Sequence, residues 1–293
     1  MQGISRVRSA LVMTGIASLV LATSVAAGAS TSGKYNAAAA RLVPAAYKHV
    51  TLQVATDATY APDESMKGSK MVGFDVDLIN AIAKTLGIKV HENNVNFDGI
   101  LLGIKSGKYT IGNSSFTDNK AREKQVNFVD YFQAGEGVYA KASSKVKLTS
   151  LKSLCGLKVA VETSTVEQSD AQATAKTCPS NKKLTVLNYT TQTEANLAVT
   201  SGRADVGFLD SQIAGYMVSQ SKGALKLVGK AVNVAPYGIA TPKTTNGHKL
   251  ALAIRAALKV LVKNGTYHAI LAHWGVVSGA LPQSKIVLNG ALS

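Results

Sequence analysis

GFDVDLINAIAKTLG, residues 73–87, places Val76, Ile79, Ile82, Ala83 and Leu86 on one face of a helix, and Gly87 follows where a helix turns left-handed to end. Around it VTLQVATD (50–57) and IKVHENNV (88–95) read as strands, FDGILLGIKSG (97–107) as a helix closed by Gly107, and YTIGNSS (109–115) as a further strand. The fold is predicted to start near His49. A second series follows residue 140: LKVAVE, KLTVLNY and ADVGFLD as strands, with TVEQSDAQATAK, TEANLAVTSG and SQIAGYMVSQ as helices. The chain then runs through LKLVGKAV and APYGIATP into a long helix around KLALAIRAALKVLVKNG. Two α/β series of similar size predict two lobes rather than one long sheet.

Ligands of open α/β sheets bind beyond the carboxyl ends of strands. The most polar such end is GNSSFTDNKAREKQVNF (112–128), where Ser114, Ser115, Thr117 and Arg122 stand between a predicted strand and a predicted helix. Hydroxyls, the free N–H groups of a helix start and a guanidinium around one small volume suit a carboxylate. Thr165 after VAVE and Asp210 at the end of ADVGFLD occupy equivalent positions in the second series.

The segment 1–29 differs in kind: Arg6 and Arg8 precede the apolar run ALVMTGIASLVLATSVAA, and Ala27-Gly28-Ala29 is a small-x-small cleavage pattern. It reads as a secretory signal peptide, with a membrane anchor as the competing reading, and has no cysteine for a lipid anchor. Residues 30–47, rich in alanine and without a clear period, read as a spacer.

The whole chain of 293 residues is 46% hydrophobic, enough to bury a sizeable core. Cys155 and Cys178 fit one disulfide of an exported protein, worth about 3 kcal/mol by loop closure. A catalytic thiol or metal pair is the alternative, yet no histidine lies near either cysteine in sequence. The net charge is +15, and +13 without Arg6 and Arg8, but the lysines are scattered and no basic run is interleaved with aromatics, which argues for solvated surface charge over nucleic-acid binding.

The motif at 73–86 resembles the signature of the amino-acid-binding branch of the extracellular solute-binding proteins, the receptors of ABC importers. The similarity continues through ATDATYAP (55–62), NFDGILLGIKSGKY (96–109), SSFTDNKAREKQVNF (114–128), LCGLKVAV (154–161), SGRADVGFLDS (201–211), APYGIATP (235–242) and GTYHAILAHWG (265–275). It implies a type II periplasmic-binding fold: two Rossmann-like α/β lobes joined by two hinge strands, with an amino acid closed between them. By the match, lobe 1 spans 48–135 and 238–293, lobe 2 spans 136–237, and the crossings fall near 133–138 and 236–238. The C-terminal helix is expected to pack back on lobe 1.

The resemblance implies roles as well. Arg122 is matched to the grip on an α-carboxylate, and Asp210 to the acceptor of the α-ammonium. Tyr60 and Phe97 are matched to rings against the ligand side chain, with Asp57 reaching its polar or cationic end. Residue chemistry alone leaves other readings open: a solvated helix arginine, a cap by Thr117 or by Asp210, a core ring for Phe97, and a turn-capping Asp57.

The chain departs from the pattern in two places. Asp63 stands where many relatives carry an aromatic, and Ser164-Thr165-Val166 replaces Gly-Thr-Thr, removing one hydroxyl near Thr165.

An enzyme on the same fold, like a periplasmic cyclohexadienyl dehydratase, is the alternative. Catalysis needs an acid or base in the cleft; the five histidines lie outside the cleft motifs, and Glu162 after VAV is the best candidate. No P-loop, metal constellation or nucleophile elbow is present in the sequence. A sensory module would need a membrane span beyond the domain. The expectation is a monomeric periplasmic receptor for a polar or basic L-amino acid, without metal or cofactor, delivering to an inner-membrane ABC permease.

Overall fold

The computed structural model describes residues 31–291. The expected signal segment at 1–29 lies outside the described residues.

After a four-residue helix α1 (Ala37–Ala40), the chain forms β1 (Thr51–Thr56), β2 (Thr59–Tyr60), β3 (Glu64–Lys67), β4 (Lys70–Val72), α2 (Phe74–Leu86), β5 (Lys89–Asn94), α3 (Phe97–Lys105), β6 (Ile111–Gly112) and α4 (Lys120–Glu123). The long strand β7 (Val126–Lys141) then carries it across. The second series comprises β8 (Lys158–Glu162), α5 (Val166–Ala175), β9 (Thr185–Tyr189), α6 (Gln192–Ser201), β10 (Val206–Asp210), α7 (Ser211–Gln220) and β11 (Leu225–Leu227). The return runs through β12 (Val232–Pro242) to α8 (Thr245–Lys263) and α9 (Thr266–Trp274).

The strand order is β5-β1-β6-β12-β7-β10-β8-β9, with β11 also on β7, and β2-β3-β4 form a small separate sheet. Strands within each α/β series pair parallel: β1 with β5 and β6, β8 with β9 and β10. The two long strands pair antiparallel, from Val126↔Pro242 to Ala134↔Ala235, and from Glu136 onward β7 pairs with β10. Two α/β lobes are thus joined by strands common to both. Register shifts in β12 between Val232 and Ala235 and between Tyr237 and Gly238 mark where that strand bends.

Each lobe has its own core. In lobe 1, Phe74, Leu78, Ile79, Ile82 and Leu86 of α2 meet Leu250, Ile254, Leu258 and Leu261 of α8, with Tyr267 and Ile270 of α9 closing the layer. In lobe 2, Val159, Val161, Ala171, Val206 and Phe208 pack beneath α5, while Ala195, Val199, Leu209 and Ile213 pack between α6 and α7. Fully burying side chains of this size is worth about 1.5–3 kcal/mol each.

Glycines fix both ends of α2. Gly87 has φ 66° and its N–H bonds back to Ala83 and Lys84. Gly73, at φ 148°, passes so near Asp63 that a Cβ would stand 2.0 Å from the Asp63 carbonyl oxygen.

Four local expectations need correction. Residues 30–47 are not a mere spacer: Asn36 caps α1, its N–H bonds the Thr85 carbonyl at 2.9 Å, and Ala39 and Val43 enter the lobe 1 core. The first strand begins at Thr51, past His49. Only Ile111–Gly112 of YTIGNSS is a strand, because the chain turns at Ser115 with φ 48°. The predicted long helix is α8, but it is not the last: α9 follows it, and the segment after α9 lies along β7 through Ala280↔Phe132 and Leu288↔Val129. No helix among the described residues is long and apolar enough to cross a membrane.

Cys155 and Cys178 are disulfide-bonded, with Cα atoms 5.5 Å apart. The bridge ties the segment before β8 to the far end of α5.

Candidate functional site

The carboxyl ends of β1, β8 and β10 and the 114–122 segment face one narrow cleft between the lobes. Asp57, Tyr60, Phe97, Ser114, Ser115, Thr117, Arg122, Thr165 and Asp210 all line it, joined by Glu64, Glu162, Val166 and Glu167.

Arg122 is 8% exposed. Its Nη1 donates to the Thr117 carbonyl and its Nη2 to the Ser164 carbonyl of the other lobe, both at 2.9 Å. The guanidinium lies over Phe97 and Phe116, 5.5 and 5.4 Å from the ring centroids, and those rings stack 4.5 Å apart. Burial lowers its pKa to about 10, while Glu167 and Asp210 oppose that shift, so it stays a cation at neutral pH. Phe97 therefore seats the arginine as well as facing the cleft.

Asp210 stands across the cleft at the start of α7 and does not cap it with its side chain. Tyr60 joins the two lobes there: its hydroxyl donates to Asp210 Oδ2 at 2.9 Å and accepts the Asp210 N–H at 3.0 Å. Burial pushes Asp210 up to about 6, against Tyr237, Tyr60 and Arg122, which pull it down.

The predicted hydroxyl cluster is more committed than its sequence suggests. Ser114 Oγ accepts the Asp57 N–H and donates to Glu64 Oε1, each at 2.9 Å. Ser115 Oγ donates to Asp63 Oδ2 at 3.0 Å, and its N–H donates to Asp75 Oδ2. Asp63, Glu64 and Asp75 are fully buried, and burial is the first cause that raises each of them. Gln212 of α7 reaches across to the same Asp63 oxygen at 3.0 Å. Asp63 is thus a buried anchor between lobes rather than an open pocket wall.

The predicted helix start at 114–122 is also corrected. α4 has four residues, and Asn119, not Thr117, caps it by accepting the Arg122 N–H. The helix that opens on the cleft is α5 of lobe 2, ten residues long, whose N-cap Thr165 accepts the Gln168 N–H and donates to the Glu162 carbonyl at 2.8 Å.

Asp57 is occupied on both oxygens: Oδ1 accepts from the N–H and hydroxyl of Thr59, and Oδ2 from the Phe97 N–H at 2.8 Å, the start of α3. Glu167, on the first turn of α5, was not singled out in the sequence, where an acidic residue near a helix start reads as dipole compensation. It is 2% exposed, and burial first, then Asp210 and Glu136, hold its carboxyl well above the usual range. Among the described residues no group of three or more His, Cys, Asp and Glu side chains could hold a metal ion.

Residues 52–277 match the family described as bacterial extracellular solute-binding proteins, family 3. The chain belongs to that family. Similar proteins include the arginine-binding protein ArgT of Corynebacterium glutamicum, 32% identical over 220 residues, covering 74% of this chain and 71% of ArgT. The ABC transporter glutamine-binding protein GlnH of Bacillus subtilis is 28% identical over 229 residues, covering 77% and 80%. This solute-binding protein is also similar in structure to an ancestral arginine-binding protein bound to arginine, with TM-score 0.72 at 34% identity over 78% of this chain and 99% of that one. A second similar structure is the ancestral amino acid-binding protein AncCDT-1, a precursor of cyclohexadienyl dehydratase, with TM-score 0.69 at 32% identity over 76% and 95%.

Proposed function

We propose that this solute-binding protein is an exported, periplasmic receptor that captures a polar or basic L-amino acid between its lobes and delivers it, as a monomer, to an ABC permease in the inner membrane. Arg122 grips the carboxylate with its remaining N–H donors, and Asp210 accepts from the α-ammonium. Tyr60, Phe97 and Asp57 face the side chain, and Thr117, Thr165, Ser114 and Ser115 shape the wall. The observation that carries this reading is that Arg122 and Asp210 come from different lobes yet line one cleft. Opposite charges on opposite lobes fit the two ends of a zwitterion, so its binding favours closure. The arginine- and glutamine-binding names of the relatives support an amino acid of this class.

A thermal-shift screen of the mature protein against the proteinogenic amino acids tests it, since a ligand selective for the folded state raises Tm. A Tm rise with one or a few polar or basic amino acids is expected; no response to any L-amino acid contradicts the reading.

One observation favours the dehydratase-like alternative: Glu162, pushed up to about 9 by burial and by Asp57, holds a proton in the cleft at neutral pH, as a general acid must. Mass spectrometry of the retained amino acid separates the two. The receptor returns it unchanged, and a dehydrated product marks the enzyme.

A further inference from the structure

The cleft is lopsided in charge. Asp57, Glu64, Glu162, Glu167 and Asp210 line it together with Arg122. A zwitterion between Arg122 and Asp210 is neutral overall and leaves the charge at the other end unanswered. Two of these carboxyls come from different lobes and act on each other across the cleft: Asp57 at the end of β1 and Glu162 at the end of β8. Asp57 already takes three hydrogen bonds from Thr59 and Phe97. Glu162 is 3% exposed, lines the cleft, and its Oε1 has no hydrogen-bond partner.

We propose that Asp57 and Glu162 form a clamp for the cationic end of the ligand's side chain, with Glu162 as the residue that sets specificity, and that a guanidinium or ammonium enters by displacing the proton the pair shares. The inference rests on the amino-acid reading above and names the ligand class within it.

The exchange balances in charge. One proton on two carboxyls leaves a net charge of about −1, and a monovalent cation between two carboxylates leaves the same, so no extra charge is buried. A neutral amide cannot replace the proton and meets a pair that is still protonated. As pH rises the proton is lost more easily and the pair repels itself unless a cation is present.

The groups around the pair do not supply that cation. Asp98 of α3 acts on Glu162 as a like charge, Asp57 does the same to Glu64 of β3, and Tyr60 of β2 is held well above its usual 10 by burial. From α6 the Gln192 main-chain N–H donates to Thr59 Oγ1 at 3.2 Å, beside Asp57. Glu162 on the second lobe therefore offers a free acceptor only where the lobes meet.

The test is calorimetric titration with L-arginine and with L-citrulline, its uncharged isostere, at pH 6, 7.5 and 9. Buffers of different ionisation enthalpy count protons, and wild type is compared with Glu162→Gln. The clamp predicts close to one proton released per arginine and none per citrulline at pH 7.5, with the preference for arginine growing toward pH 9. In Glu162→Gln that preference should fall about tenfold and the proton release should vanish. Arginine binding without proton release by wild type overturns the proposal even if the variant does not fold, and so does an unchanged preference in the variant. Absence of binding by either compound, or by any amino acid, overturns the receptor reading itself and the clamp with it.

Discussion

Arg122 uses two of its five donors on the carbonyls of Thr117 and Ser164, one from each lobe, which fixes the plane of the guanidinium and leaves a fork for a carboxylate. Lysine keeps the charge without the fork. Arg122→Lys is expected to weaken amino-acid binding about tenfold or more in calorimetry, with the protein still folded. Tyr60→Phe strips a donor from Asp210 Oδ2 and an acceptor from its buried N–H; leaving such a group unsatisfied costs about 1–3 kcal/mol, to be read as weaker binding. The Asp210 carboxyl also sets an acid limit. Its pKa lies near 6, and the form that accepts from an ammonium is the ionised one, so affinity should hold above about pH 6 and fall as pH drops below it. A titration series from pH 4.5 to 7.5 checks this. Arg122 and Asp210 were singled out in the sequence by the resemblance, since residue chemistry alone left a solvated arginine and a helix cap equally open. Glu167 was not, because its burial depends on Asp210 and Arg122 arriving from elsewhere in the chain.

At the scale of elements, α5 joins the cleft to the disulfide. Thr165 caps its N-terminus at the cleft, while Cys178 lies just past its C-terminus, bonded to Cys155. Thr165→Ala should lower stability by about 1 kcal/mol in urea denaturation. Replacing both cysteines by serine should cost about 3 kcal/mol by releasing a loop of 23 residues, while leaving amino-acid affinity unaltered. The helices α2, α5, α6, α7 and α8 were readable because apolar residues recur at helical spacing or a Ser, Thr, Asp or Gly marks an end. α4 was misread since four residues carry no period, and its cap, Asn119, competes in sequence with Thr117. The docking of 31–47 was missed for a related reason: an alanine run has no amphipathic signal, although Ala39, Val43 and the backbone bond to Thr85 tie it to lobe 1.

Across the whole molecule, the buried carboxyls outnumber their partners. Burial is the first cause that pushes Glu136 to about 8, and Asp130 and Glu162 to about 9, far above carboxyls in an unfolded chain. The folded state then binds more protons than the unfolded one between those limits, so stability is full below about pH 4 for these groups and is lost as pH rises toward 9. The Tm of the ligand-free protein is expected to fall from pH 5 to 9, whereas the Tm gain from a cationic amino acid grows over pH 6 to 9. Differential scanning calorimetry across that range checks both. This balance was invisible in the sequence, whose net charge of +15 suggests a surplus of cations; the lysines are largely on the surface while the acids turn inward.

The claim on which all of this depends is that one cleft holds an amino acid by its acidic end on Arg122 and by its basic end on Asp210. Calorimetric titration of Arg122→Ala with the amino acid that most raises the Tm of the wild type tests it most directly. The account predicts a loss of about 2–5 kcal/mol, roughly thirtyfold or more in Kd. An affinity equal to wild type, in a variant that folds as wild type does, would contradict it.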